Sequence, residues 1–258
     1  MTVEKLETTL EQTLANGDKI FIPYIMAGDG GLDKLPEQIK FLAESGATAI
    51  ELGIPFSDPV ADGPVIQAAG IRALSAGVSL RGILEVLKET KADRSIPIVL
   101  MTYFNPIFVY GLEQCLVDCA EAGVSGLIIP DLPLEEEGNI PNLIAEQDLA
   151  FIRLATLTSS QERLTKIAAK TTGFLYAVTV TGTTGERHEY LESIGDYLAN
   201  LKQVSPKPVL AGFGVSTPEQ VKQLSSYCDG VIVGSKIVKS LHEGDHKAIK
   251  ELILATKK

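Results

Sequence analysis

Apolar residues along this chain fall into two alternating patterns: short unbroken runs, and stretches in which they return every third or fourth position. The first kind predicts buried strands, the second amphipathic helices. Val3, Leu6, Leu10 and Leu14 recur at helical spacing between acids, which predicts an N-terminal helix rather than a leader segment. Ile20-Phe21-Ile22-Pro23-Tyr24 then predicts a first strand, and Leu35, Ile39, Leu42 and Ala43 the helix after it. Further strands are predicted at 49–52, 96–101, 126–129, 150–154, 174–178, 208–211 and 230–233. Helical patterns separate them: through Ile71 and on to Leu84 and Leu87, over 112–120, from Pro141, at Leu164, Ile167 and Ala168, and at Leu191, Ile194, Leu198 and Leu201.

The helix ends carry their own chemistry. Thr217-Pro218-Glu219-Gln220 sets a cap, a proline at the first helical position and a capping-box partner in order, and Thr158 with Gln161 predicts a second box. Gly46, Gly123 and Gly173 stand between helix and strand, where a left-handed cap residue belongs. Strands this short and apolar on both faces are those of a parallel sheet covered by helices. Eight strand–helix units in about 250 residues predict a closed (β/α)8 TIM barrel. It is expected to form a single domain over residues 1–258 with an extra N-terminal helix. An open doubly wound sheet is the alternative, but the first strand is not followed by the G-x-G-x-x-G of a dinucleotide fold.

Composition narrows the function. A net charge of −10 weighs against nucleic acid and against an anionic membrane surface as partners. An anionic substrate must then be held locally, by backbone dipoles. Cys115 and Cys119 share an apolar stripe with Leu112 and Leu116, and Cys228 precedes a strand, so all three are expected as buried free thiols in a reducing compartment. His188, His242 and His246 have no metal-ligand spacing, and no metal site is expected. No apolar run approaches the roughly 18 residues of a membrane span. These features predict a cytoplasmic enzyme, or one of the plastid stroma should the source be a plant.

Active sites of such barrels lie at the C-terminal ends of the strands. Glu51 stands there between Ile50 and Leu52, inside a strand fit for the core. A carboxylate buried without a partner costs several kcal/mol, about, unless it is protonated or paired. It is either one half of an ion pair within the barrel or a functional group. The loop that follows, residues 53–64, is proline-stiffened and unusually apolar, with Ile54 and Phe56, yet it carries Asp58 and Asp62 with no nearby base in sequence. Either acid also fits a plain turn position. Toward the other end, Gly182-Thr183-Thr184-Gly185 follows the sixth strand, Gly212-Phe213-Gly214 the seventh, and Gly234-Ser235 the eighth. Glycines admit a ligand close to the backbone, and a helix opening at Gly234-Ser235 aims its N–H groups outward, as a phosphate site requires.

Together these segments resemble the tryptophan synthase alpha subunit family over nearly the whole chain. The most specific piece is Glu51-Leu52-Gly53-Ile54-Pro55-Phe56-Ser57-Asp58-Pro59 with Ala61-Asp62-Gly63-Pro64. Met101-Thr102-Tyr103-Phe104-Asn105-Pro106, Pro130-Asp131-Leu132-Pro133 and the three glycine loops support it. The resemblance implies a lyase without a cofactor of its own, splitting indole-3-glycerol phosphate into indole and glyceraldehyde 3-phosphate by a retro-aldol step. It also implies a β-subunit partner that carries pyridoxal phosphate, in an α2β2 heterotetramer. The family's catalytic carboxylates match Glu51 and Asp62, and Tyr176 matches a tyrosine that approaches the substrate. Tyr24, Tyr103, Thr184 and Phe213 match pocket positions, and Gly185, Gly214, Gly234 and Ser235 the phosphate site. Tyr24 stands where many members have phenylalanine.

The chemistry sets expectations for the two acids. Glu51, in an apolar strand, should hold its proton to higher pH and so donate and then accept one, while Asp62, on a more open loop, should stay ionised facing the indole nitrogen. Residues 182–188 offer little apolar area and are expected to close over bound substrate. Three other readings stand beside this one: a freestanding lyase that releases indole, a non-catalytic regulatory subunit, and a sugar-phosphate isomerase. Glu51 and Asp62 argue against the second, and the lack of a suited histidine or lysine at a strand end against the third.

Overall fold

The computed structural model describes residues 2–179, 187–212 and 214–258, with the backbone alone for 187–192. Nine parallel strands follow one another: β1 (Ile20–Met26), β2 (Ile50–Gly53), β3 (Ile98–Met101), β4 (Gly126–Ile128), β5 (Ala150–Ile152), β6 (Leu154–Thr156), β7 (Leu175–Val178), β8 (Val209–Gly212) and β9 (Gly230–Val233). Each predicted apolar run is found as a strand, and one of them as two. The order across the sheet is β5-β4-β3-β2-β1-β9-β8-β7-β6. Its two outer members are consecutive in the chain, separated by Arg153 alone, so the sheet closes on itself as the TIM barrel expected from sequence. First and last strands meet through the Ile20↔Gly230 to Pro23↔Val233 register.

The fifth run splits because the ladder changes sides at Arg153. β5 pairs with β4, β6 with β7, and between them the Arg153 N–H donates to the Thr171 hydroxyl at 3.0 Å. The Arg153 side chain folds back and is buried. Its Nε and Nη2 donate to the Glu137 carboxylate at 2.6 and 2.9 Å. This bidentate pair fastens the loop after β4 to the seam.

Helices cover the barrel wall, among them those the spacing predicts. α1 (Thr2–Ala15) buries Leu6 and Leu10. It lies across the N-terminal end of the barrel: the Val3 N–H donates to the Asp148 carbonyl, and Glu7 accepts from the Gly173 N–H, each contact just ahead of a strand. α2 (Leu35–Glu44), α3 (Pro64–Ser75), α4 (Leu80–Glu89), α5 (Phe104–Tyr110), α6 (Leu112–Glu121) and α7 (Ile140–Glu146) follow in chain order. They are succeeded by α8 (Gln161–Lys170), α9 (Arg187–Val204), α10 (Pro218–Ser225), α11 (Ser235–Glu243) and α12 (His246–Leu254). No helix of the described residues is long and apolar enough to cross a membrane.

The capping box at Thr217 and Gln220 forms as expected. The second box does not. α8 starts at Gln161, so Gln161 takes the first helical position rather than the third, and Ser160 caps the helix by accepting from the Arg163 N–H at 3.3 Å. Thr158 instead bonds the Thr156 hydroxyl at 3.2 Å. All three cysteines are buried and free.

Candidate active site

At the C-terminal end of the barrel lies a cavity of about 440 Å³ that gathers residues from both ends of the chain. Tyr24 on β1, Glu51 on β2 and Tyr176 on β7 line it from the barrel lumen. Asp62 and Gly63 line it from the loop after β2, and Gly214 to Ser216 from the loop after β8. Gly234, Ser235 and Lys236 contribute the start of α11, while Ile66, Met101, Val215 and Ile232 make its apolar wall. One end is thus apolar with two carboxylates, and the other is backbone-rich.

Among the described residues Glu51 has no ion-pair partner. Glu51 is 1% exposed, and neither carboxylate oxygen has a hydrogen-bond partner among the described residues. Burial pushes its pKa from 4.5 up to about 8, and the charge of Asp62 adds to the rise. At neutral pH it is mostly protonated. Asp62 is half-buried rather than open. Burial raises it to about 6, against a lowering hydrogen bond from Tyr103, so it is mostly ionised at pH 7. The two acids therefore differ in charge state as sequence reasoning expected, although Asp62 binds its proton more tightly than an open loop would allow.

Tyr103 explains how a surface loop holds an acid in place. It stands after β3, is 4% exposed, and its hydroxyl accepts from the Ala61 N–H at 2.8 Å. Its ring packs on Phe56 with centroids 5.3 Å apart, and Ile54 is buried. The apolar residues of this loop cover the barrel rim, and Asp62 is carried into the cavity. Asp58 is exposed and bonds its neighbour Ser57, which makes it a rim and turn residue.

The backbone-rich end has the form of an anion cradle. Gly214 takes φ +76°, a conformation that glycine reaches without strain. Gly234 precedes α11, whose first intrahelical acceptance is by the Gly234 carbonyl from the Val238 N–H at 3.0 Å. The N–H groups of Ser235, Lys236 and Ile237 are left without acceptors inside the helix, and the helix dipole adds partial positive charge there. Lys236, overlooked in the sequence, supplies a full one; its position two residues after Gly234 was the available signal. Thr184, Gly185 and Phe213, with the rest of the glycine loop after β7, lie outside the described residues.

A second cavity, of about 400 Å³, sits between the seam strand, α8 and the loop after β4. Its buried charges, Arg153 and Glu137, satisfy each other. Its two acids both have partners, since Asp131 accepts from the Phe104 N–H and Glu137 from Arg153.

Residues 10–257 match the family model described as the tryptophan synthase alpha chain. The chain belongs to the tryptophan synthase alpha chain family. The alpha chain of Oceanobacillus iheyensis is 54% identical over 98% of this chain and 97% of its own length, and that of Bacillus cereus 51% over 100% and 98%. Among solved structures, the alpha subunit of Legionella pneumophila superposes with a TM-score of 0.89 at 34% identity, covering 98% of each chain. Tryptophan synthase of Mycobacterium tuberculosis, in an open form with BRD0059 bound, gives 0.89 at 33%, again over 98% of each. Tryptophan synthase alpha chains are lyases that cleave indole-3-glycerol phosphate, and this chain has that role in tryptophan biosynthesis. The alpha chain carries no cofactor; pyridoxal phosphate belongs to the β subunit, with which the family works.

Proposed function

We propose that the cavity between Glu51, Asp62 and the start of α11 is where indole-3-glycerol phosphate is cleaved. The indole ring packs on Ile66, Met101 and Ile232, and the phosphate sits at Gly214, Gly234 and Ser235. Thr184, Gly185 and Phe213 complete the pocket by family match. Protonated Glu51 delivers its proton to C3 of the indole, which leaves positive charge on the ring nitrogen. Ionised Asp62 faces that N–H and stabilises the charge. Glu51, now a base, takes the proton of the adjacent side-chain hydroxyl; the carbon–carbon bond breaks, its electron pair returns to the ring, and the hydroxyl carbon becomes an aldehyde. Indole leaves neutral and Glu51 is protonated again. Tyr176 approaches the reacting side chain from β7. The observation that carries this reading is the pair of carboxylates lining one cavity, Glu51 fully buried and Asp62 half-buried.

The same reading gives one barrel domain over residues 1–258, a cytoplasmic location, and an α2β2 assembly with the pyridoxal-phosphate β subunit. Val60, Phe108 and Val109 support a docking rim, since they are 84%, 69% and 76% exposed on the loop after β2 and on α5. Tyr103 ties those two elements together beside Asp62. A partner covering Val60 therefore presses on the loop that carries a catalytic acid. The β subunit is expected to raise the lyase rate without adding a catalytic group. A tenfold rise needs only about 1.4 kcal/mol of preferential binding to the active arrangement. Steady-state indole release, measured with and without added β subunit, tests this. A rate that stays flat when the complex forms returns the chain to the freestanding-lyase reading.

A further inference from the structure

Glu51 must carry a negative charge for part of the proposed cycle, yet its oxygens have no donor among the described residues. Tyr24 is placed to supply one. It is the register partner of Glu51 across β1 and β2, so both side chains enter the barrel lumen at the same level. Its ring leans forward over Gly53, two residues along β2 on the same face. A Cβ at Gly53 would stand 1.9 Å from the Tyr24 hydroxyl oxygen and 2.4 Å from the ring carbon bearing it. Glycine at that position leaves the room the phenol occupies. The hydroxyl is thereby carried to the C-terminal side of Glu51, in the cavity that Asp62 also lines, and it makes no hydrogen bond among the described residues.

We propose that Tyr24 is a positioning residue for the Glu51–Asp62 pair, its hydroxyl donating a hydrogen bond into the gap between the two carboxylates and so stabilising the charge on Asp62 and, once Glu51 has given up its proton, the charge on Glu51. This rests on the reading of Glu51 as the proton shuttle. The phenol keeps its own proton throughout: burial and the charges of Asp62 and Glu51 all hold its ionisation far above neutral pH. It is a fixed donor and takes no part in proton transfer. Among the described residues, the other charged and titratable groups facing this gap are Tyr176 from β7, Tyr103 from the segment after β3, and the Lys236 ammonium on α11. None of them shares a register position with Glu51 on an adjacent strand.

The test is Y24F, which keeps the ring over Gly53 and removes only the donor. Charge-assisted hydrogen bonds favour the ionised acid, so their loss makes both carboxylates harder to ionise, by about tenfold in proton affinity. In the free protein, carboxyl-carbon NMR of Glu51 and Asp62 should show titrations displaced upward by about one on the pH scale. The pH profile of kcat/KM should move upward by the same amount, kcat should fall several-fold, and KM should change little because the phosphate cradle is untouched. Titrations that stay where they are in a folded Y24F overturn the proposal. A raised KM with an unmoved pH profile also overturns it, since that marks a contact with substrate alone. The NMR titration does not depend on turnover, so the proposal can fail while the lyase reading stands. Full activity in E51Q would instead sink that reading and leave the titration result intact.

Discussion

Replacing Glu51 with glutamine separates catalysis from stability, because the same burial that suits the acid to its task makes it costly to keep. In the unfolded chain the carboxyl releases its proton near pH 4.5, and in the folded protein near 8. The folded state thus binds more protons in between, and stability falls as pH rises through that window, by about 1.4 kcal/mol for each pH unit. At pH 7 the accumulated loss is about 3 kcal/mol, and above pH 8 about 5 kcal/mol. Below pH 4 there is none, since both states are protonated. Glutamine keeps the shape and stays neutral at every pH. E51Q should therefore match the parent in stability at pH 4 and exceed it by about 3 kcal/mol at pH 7, a rise in Tm of roughly 5–10 °C for a chain of this size. Its lyase activity should fall by about 10²-fold or more. Urea unfolding at a series of pH values, beside an indole-release assay, measures both. A stability gain that is constant with pH would refute the argument from burial, and more than a few per cent of residual activity would refute the role of Glu51.

Five further outcomes follow from the geometry. With Asp62 ionised and Glu51 protonated in the active form, kcat/KM should rise through about pH 6 and fall through about pH 8; a profile flat across that interval contradicts the assignment. D62N should cripple turnover while retaining affinity for a phosphate ligand, and a normal rate would reduce Asp62 to a turn residue. Gly214→Ala should raise KM through backbone strain of about 1–2 kcal/mol at φ +76°. For Gly234→Ala the nearest neighbour of the new methyl is the Tyr24 side chain, at 3.7 Å and beyond, so a rise in its KM reports crowding of the ligand. E137Q removes charge from a buried bidentate pair and should lower the unfolding free energy by about 3–5 kcal/mol; a smaller loss in denaturant titration would show that Arg153 finds another acceptor.

Most of the barrel was legible because its signals are local. Strand runs such as 20–24 and 230–233 are apolar on both faces, and Thr217-Pro218-Glu219-Gln220 writes a helix start into four residues. Glu51 was legible for the opposite reason, as a charge where the pattern demands none. The split at Arg153 was not, because an arginine at the end of an apolar run reads as the boundary of a strand. Only the closed ring brings Glu137 against it from sixteen positions away. The misplaced cap of α8 shows the same limit at short range: several hydroxyls in succession, Thr156, Thr158, Ser159 and Ser160, leave the starting residue to be chosen by tertiary packing. The part played by Tyr103 in holding the Asp62 loop likewise depends on a contact across strands that spacing does not encode.

The pairing of the first strand with the last has a consequence for the chain as it is synthesised. Glu51 and Asp62 leave the ribosome early, but Gly234 and the start of α11 leave nearly at the end, and β1 has no partner on one side until β9 arrives. A nascent or prematurely terminated chain thus holds both acids without the α11 half of the anion cradle. It also presents two bare apolar strand edges, at β1 and at β8, of the kind that drive association between chains. Any product lacking its last thirty residues, about, is then expected to reach the cell's quality-control machinery as an aggregation hazard rather than as a weak enzyme.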